Sequence, residues 1–427
     1  MGGASSVAYK APSDIDIEER MRVLDIEPGE QPPLELVARK INSGEIKNIV
    51  VLCGAGISVS CGIPDFRSEG TGLYHNLQKY DLDTPESIFD IEFFRNNPKP
   101  FIHLAKELYP GKFQPSVTHH FLKLLENKNK LLRVYTQNID GLEFQAGLSE
   151  SKVVQCHGGF QNSHCISQTC GARCDNARLK SDIMTGKETL CEKCSSLCKP
   201  GITFFGEALP SKYHDTKAID FARDELQCCY HDCKDPTKEH TDGSRLFYCE
   251  WHCSNDGDKP SPSAEEKTPQ EVTPIAGLSD SKIDSDNQEP LSSEEGEKKE
   301  RVEKKTDDEH QGKVTCECDL LIVMGTSLKV APVSGLADDV HWLCPRVLIN
   351  NEEVHLHGEP KPEWPPQFGP DNGFLFDHKD NYRDVKRIGD CDEGSRELAA
   401  LLGWENDLDE LVEASKRAFD ESKRSEA

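Results

Sequence analysis

Short apolar runs, separated by stretches of helical spacing, set the pattern of this 427-residue chain. Ile49-Val50-Val51-Leu52-Cys53 is stopped by Gly54, and similar runs recur at Leu131-Leu132-Arg133-Val134-Tyr135, Leu320-Leu321-Ile322-Val323-Met324 and Val347-Leu348-Ile349. A run with almost no polar alternation reads as a strand covered on both faces, as in parallel sheets. Between these runs the spacing predicts helices over 34–39, 100–108 and 119–126. Buried strands alternating with helices predict a doubly wound α/β sheet.

Three stretches break the rhythm. Residues 1–30 are polar and read as a flexible lead-in. Residues 160–200 hold clustered cysteines with little periodicity and read as a small inserted module. Residues 254–311 carry 17 acidic and 8 basic side chains with no aromatic residue and no cysteine. Such a stretch buries too little apolar surface to offset its ordering entropy, so disorder is expected. A fold carries an excursion of this kind because loop-closure cost rises slowly with length.

Composition sharpens the picture in two places. The formal net charge is −26, which argues against direct binding of nucleic acid and favours basic partners such as lysine-rich tails. The chain has 18 cysteines but neither a secretory signal nor an apolar run long enough for a bilayer. The expectation is a reducing compartment, where thiols bind metal or stay free rather than form disulfides. Met1-Gly2-Gly3-Ala4-Ser5-Ser6 fits the pattern for myristoylation of Gly2, which would allow membrane association; small polar residues are equally what an unstructured N-terminus carries.

Candidate chemistry begins after the first run. Gly54-Ala55-Gly56-Ile57-Ser58 places glycines at a strand end, where backbone can approach a pyrophosphate. Alone it is weak, since a tight turn has the same composition. Gly62-Ile63-Pro64-Asp65-Phe66-Arg67-Ser68 adds an acid, a ring and a guanidinium to a loop, a combination suited to covering a ligand. Thr136-Gln137-Asn138-Ile139-Asp140 puts polar anchors at the carboxyl end of a predicted strand, where open α/β sheets bind ligands; an ordinary helix cap by Asp140 is the bland alternative. His157 precedes Gly158 and is, by itself, more simply a structural histidine. Cys165 and Cys170, then Cys191 and Cys194, form two short-spaced pairs that can converge on one tetrahedral Zn²⁺. Four thiolates leave no open position, so such a site is structural; Cys174 and Cys198 lie near enough to compete.

Taken in order, these segments resemble the sirtuin family, class I branch, nearest the mainly cytoplasmic tubulin and histone deacetylase. The likeness continues through Lys199-Pro200, Phe204-Phe205-Gly206-Glu207, Gly325-Thr326-Ser327-Leu328, Asn350-Asn351-Glu352 and Gly389-Asp390-Cys391-Asp392-Glu393. It implies a Rossmann-like sheet with a smaller zinc-binding and helical domain, and NAD-dependent lysine deacetylation in the cleft between them. It implies that NAD lies on Gly54, Ala55, Gly56, Ile57, Ser58 and Val59 under Asp65, Phe66 and Arg67. Gln137, Asn138, Ile139 and Asp140 would hold the nicotinamide end. Gly325, Thr326, Ser327, Asn350, Asn351, Glu352 and Cys391 would meet the adenosine half. The acetyl oxygen would attack the ribose carbon, with Asn138 and His157 catalytic and His157 the general base. The products would be nicotinamide, free lysine and O-acetyl-ADP-ribose. Thr203, Phe204, Gly206 and Glu207 resemble the strand that pairs with substrate backbone. The resemblance also assigns one structural Zn²⁺ to Cys165, Cys170, Cys191 and Cys194.

The implied organisation is a catalytic domain over 31–226 and 316–415, an insertion over 227–315 and a tail over 416–427. The implied partners are acetylated proteins such as histone tails or tubulin, met by a monomer or weak oligomer in the cytoplasm and also the nucleus. Gln155, Cys156, Gly201 and Thr203 depart from the usual class I pattern. The insertion holds Cys228, Cys229, Cys233, Cys249 and Cys253 with His231, His240 and His252; irregular spacing favours a metal-free loop over a second zinc knuckle. Two other activities use the same NAD site: mono-ADP-ribosyl transfer to protein and removal of longer acyl chains.

Overall fold

The structure, a computed structural model, describes residues 23–26, 31–63, 82, 84–221, 317–358 and 373–426. Gly2, the Asp65-Phe66-Arg67 loop and the whole insertion over 227–315 lie outside the described residues.

Six parallel strands form the main sheet: β1 (Ile49–Cys53), β2 (Leu131–Thr136), β3 (Val153–Gln155), β6 (Leu320–Met324), β7 (Arg346–Asn350) and β8 (Asp384–Ile388). Their spatial order is β3-β2-β1-β6-β7-β8. The winding reverses between β1 and β6, so their carboxyl ends open the crevice where doubly wound sheets bind ligands. The unbroken apolar runs have a simple cause. Ile49, Val51 and Cys53 face one core, which contains α1 (Leu34–Ser43) and α4 (Val117–Asn127), while Val50 and Leu52 face another behind the sheet. All five positions of β1 are buried.

A second, smaller lobe is built on the antiparallel pair β4 (Gly158–Cys165) and β5 (Cys198–Ile202). Its core joins Phe160, Cys165 and Ile202 to α2 (Ile91–Asn96), α3 (Lys99–Leu108) and α6 (Asn176–Thr185) through Phe94, Phe101, Leu104, Leu179 and Ile183. The lobe therefore reaches well beyond the 160–200 module that the cysteines delimit. Phe89, Phe94, Phe101 and Phe204 meet edge to face, with Phe101 and Phe204 centroids 4.8 Å apart.

One expectation needs correction. Cys174 and Cys198 do not compete as metal ligands but are bonded to each other as a disulfide, so the thiols are not all free or metal-bound. Cys198 opens β5 and Cys174 follows the strand-like bridge between His164 and Arg173, which brings their Cα atoms to 6.6 Å. At the C-terminus, α8 (Cys391–Leu402) is followed by α9 (Glu405–Glu426), which runs through residues 416–426 of the expected tail.

The back of the sheet is locked by one buried cation. Arg346 opens β7, is fully buried, and forks onto Asp384 of β8 at 2.7 and 2.6 Å. Its remaining donors reach Ala337 O, Asp338 and Gly373 O, and its guanidinium lies 4.7 Å over the Phe374 ring. Removing one partner leaves the others buried and unpaired, which costs about 3–5 kcal/mol. Arg346→Met is expected to lower the urea midpoint accordingly, and Arg346→Lys to recover little because an ammonium cannot fork. An unchanged denaturation curve for Arg346→Met would refute this role.

Candidate functional site

The crevice floor begins where β1 ends. Gly54 leads into a 3-10 helix, Ala55–Cys61, pressed against the loop after β6. A Cβ on Gly56 would lie 2.6 Å from Gly325 Cα, and one on Gly325 would lie 2.5 Å from Ile57 N. Gly325 also has φ +57°, so side chains are excluded there twice over. The Gly56 amide donates to Gly325 O at 2.7 Å. Gly56 thus contributes close approach of backbone rather than a phosphate donor.

From β2 the chain delivers the polar anchors across this floor. Asn138 Nδ2 donates to Gly54 O at 3.1 Å and to Ser58 Oγ at 3.2 Å. Both amide hydrogens are committed, leaving Oδ1 as an acceptor for a donor such as a ribose hydroxyl. Ser58 Oγ passes its own hydrogen to Asp140 Oδ2 at 2.8 Å. Asp140 Oδ1 accepts from Leu142 N at 3.0 Å, so the carboxylate is helix cap and site member at once. Gln137 Nε2 donates to Thr326 Oγ1 at 2.9 Å, tying β2 to β6 across the switch point. Ile139 turns away and is buried in the core of the small lobe, leaving only its backbone to a ligand.

His157 sits where β3 hands over to β4. Its Nδ1 lies 3.0 Å from Gln137 O. A carbonyl only accepts, so Nδ1 carries the proton and Nε2 keeps a lone pair. Burial pushes the imidazolium pKa below the ordinary 6.5, partly opposed by that hydrogen bond. A neutral ring with a free Nε2 is the form a general base needs. Gly158, at φ +67°, approaches Gly201 so closely that a Cβ would lie 1.9 Å from its carbonyl oxygen. Thr203 N then donates to His157 O at 2.8 Å, so the exit from β5 holds the histidine backbone.

The 203–207 segment is a riveted turn. Glu207 Oε2 accepts from Phe204 N at 2.8 Å and pairs with buried Lys199 at 2.8 Å. The Lys199 ammonium lies 4.4 Å over the Phe204 ring, and Phe204 is buried. The Phe204 and Glu207 side chains therefore hold the turn together, whereas Phe205 and Gly206 are exposed. Phe205 exchanges backbone hydrogen bonds with Phe89 and Ile91. It is the one large exposed aromatic among the described residues, and it lies within the 203–207 run singled out in the sequence although it was not among the residues named as substrate contacts.

On the other side of the switch, Thr326 and Asn350 are buried at strand ends, and Asn350 Nδ2 donates to Glu352 O at 2.9 Å. Ser327 is half-buried; Asn351 and Glu352 are exposed. Cys391 is buried at the start of α8 beside Ile349 O, beneath the Asp390 cap. These positions lie at the carboxyl ends of β6 and β7 and at the start of α8, on the β6 side of the switch point, with the Gly56–Gly325 contact between them and β1.

In the small lobe the sulfurs of Cys165, Cys170, Cys191 and Cys194 all lie within 4.8 Å of one another. Four convergent soft donors with no interposed carboxylate fit Zn²⁺. Hydrogen bonds from Cys191 N to Ser196 O and from Ser195 N to Cys191 O fold the second pair into its turn.

The comparisons with known proteins agree with this geometry. The Sir2 family model matches residues 54–228. The "NAD-dependent protein deacetylase sirtuin-2" of Danio rerio is 36% identical over 93% of this chain and 80% of its own. The "NAD-dependent deacetylase sir2A" of Dictyostelium discoideum is 36% identical over 90% of this chain, which spans 54% of that longer protein. The "NAD-dependent protein deacetylase hst2" of Schizosaccharomyces pombe is 31% identical over 91% of this chain and 82% of its own. With this match and relatives of 31–36% identity covered over most of their length, the chain belongs to the Sir2 family.

Proposed function

We propose that this chain is an NAD-dependent protein lysine deacetylase whose general base is His157. The observation that carries the reading is the tautomer: Nδ1–H is held by Gln137 O, and Nε2 is left as acceptor in a half-buried, neutral ring. NAD, when bound, supplies the electrophilic ribose carbon and the nicotinamide leaving group. Asn138 presents Oδ1 to a ribose hydroxyl, because Gly54 and Ser58 hold its amide hydrogens. His157 Nε2 takes a hydroxyl proton, freeing that oxygen to accept the acetyl group. The crevice rim from Gly325 to Asn350 and Cys391 receives the adenosine half. Thr203, Phe205 and Gly206 flank the substrate backbone.

The preferred substrates are acetyl-lysines in basic segments, such as histone tails, with tubulin a second candidate; the net charge of −26 supports attraction to such tails. A location in the cytoplasm and nucleus goes with such substrates as part of the same proposal, and the Gly2 pattern supports acylation and membrane association. Incubation with NAD labelled in its ADP-ribose half and an acetyl-lysine peptide tests the chemistry. Label is expected in O-acetyl-ADP-ribose, in a one-to-one ratio with free nicotinamide and deacetylated peptide. Label transferred to protein instead would replace this reading with ADP-ribosyl transfer.

A further inference from the structure

Beneath the crevice floor lies a group of side chains that the reaction described above does not use. His119 on α4, Asp140 after β2, and Glu143 on α5 (Leu142–Gln145) bring one ring nitrogen and two carboxylates to within 4.8 Å of one another. His119 and Glu143 are fully buried. Neither His119 Nε2 nor either oxygen of Glu143 has a hydrogen-bond partner. Buried polar atoms are almost always paired; Thr136 lies close enough to Glu143 to lower its pKa, and the atoms still without a well-formed bond indicate a missing polar partner.

The hydrogen bonds already made in the cluster narrow the choice of that partner. Ser116 N donates to His119 Nδ1 at 3.2 Å, as the capping box of α4 requires, and Ser116 Oγ donates to Ile57 O at 2.8 Å. Ser116 Oγ also lies 2.7 Å from Nδ1, a contact in which either group can be the donor, so Nε2 offers either a hydrogen or a lone pair. Both Asp140 oxygens already accept hydrogen bonds, from Ser58 and Leu142, which suits a neutral partner better than a cation. A water molecule has the matching inventory, with lone pairs for donors and hydrogens for carboxylate oxygens.

We propose that His119, Glu143 and Asp140 enclose a single buried water molecule, and that through it His119 and Glu143 act as positioning residues for Asp140 on the crevice floor. Asp140 holds Ser58, and Ser58 holds Asn138, so the water completes a hydrogen-bond chain running from the α4 cap to a ligand-facing amide. Burial, aided by the nearby Asp140 charge, pushes the Glu143 carboxyl up to about 8, against a lowering contact with Thr136. Burial likewise lowers His119, against the raising charges of Asp140 and Asp392. The other titratable groups around the cluster are His120, pushed down to about 4, and the buried thiols Cys53 and Cys156, both pushed up. Near neutral pH Glu143 is thus an acid with a hydrogen to donate.

A crystal structure of the full chain is the first test. It should show one ordered water within hydrogen-bond distance of His119 Nε2, Glu143 and Asp140; an empty gap, direct contact of the three groups, or a metal peak there would overturn the proposal. Thermal melts of wild type and Glu143→Gln against pH are the second. A carboxyl raised from 4.5 to about 8 stabilises the fold most below 4.5 and loses that contribution as pH rises. The melting temperature of Glu143→Gln should therefore gain on wild type as pH climbs and level off past about 8; a constant gap would refute the protonated acid. The third arm, kinetics, rests on the deacetylase reading, whereas the first two do not. Glu143→Leu should lose about tenfold or more in kcat with the peptide KM nearly unchanged, and Glu143→Gln should recover most of it. Equal impairment of the two variants would remove the positioning role.

Discussion

His157→Ala is expected to lower steady-state deacetylation by about 100- to 10,000-fold, the usual contribution of a positioned general base. The substitution removes the atom that takes the ribose hydroxyl proton and leaves the rest of the crevice in place. Asn138, Ser58 and Asp140 bond among themselves and with Gly54, not with the imidazole. The His157 backbone stays fixed by Thr203 N. Binding of NAD should therefore survive, and the loss should fall on kcat. The pH profile provides an independent check. The His157 pKa is lowered by burial, so the base form predominates above its midpoint and is lost as pH falls through it. The acid limb of wild type should have its midpoint below the ordinary 6.5 and be absent from the residual rate of His157→Ala. A mutant rate within threefold of wild type, or an acid limb that persists in the mutant, would transfer the base role to another group.

How far the chain could be read in advance depended on where each residue's partners lie. Strands β1, β2, β6 and β7 were legible because burial on both faces demands unbroken apolar runs. Strand β8 was not. Its sequence Asp-Val-Lys-Arg-Ile looks polar because the strand lies at a sheet edge and because Asp384 is neutralised by Arg346, a pairing between residues 38 apart. The helix over 100–108 was assigned no lobe, since a helical period reports that a face is buried and not against what, and the six-residue α2 was not read as a helix at all. At the site, the glycines, Asn138 and His157 stood out through a combination of motifs in order. His119 and Glu143 did not, because a buried histidine in an amphipathic helix reads as ordinary core. Their convergence exists only once α4 and α5 pack beneath β2. The disulfide between Cys174 and Cys198 was hidden for the same kind of reason: spacing places six cysteines in one module but does not say which sulfurs meet.

The four-thiol cluster leads to the second large effect. Purified protein should contain one Zn²⁺ per chain, and stripping it with a strong chelator should abolish deacetylation and lower the melting temperature by about 10 °C or more. The ion would tie together ends that the Cys174–Cys198 disulfide and bonds such as Cys165 N to Ala172 O hold only on one side of the cluster. Cys165 ends β4, Cys191 and Cys194 sit on a turn closed by few backbone bonds, and Ser195 occupies a left-handed conformation at φ +61°. Without the ion, four convergent thiols lose the charge that draws them together. The consequence reaches the chemistry through β5. That strand pairs with β4, carries Gly201 against Gly158, and exits through Thr203 onto the His157 carbonyl. A shift of about 1 Å in a catalytic group costs about 100-fold, so a loosened β4–β5 pair would silence His157 without touching it. The disulfide provides the control. It joins Cys174 to Cys198, neither of which belongs to the four-thiol cluster. Cys174→Ser with Cys198→Ser should keep the zinc and most of the activity, whereas Cys191→Ser should lose both. Full activity in zinc-free protein would mean that packing around Phe160, Leu179 and Ile183 suffices to hold the lobe, and that the thiols serve some other purpose.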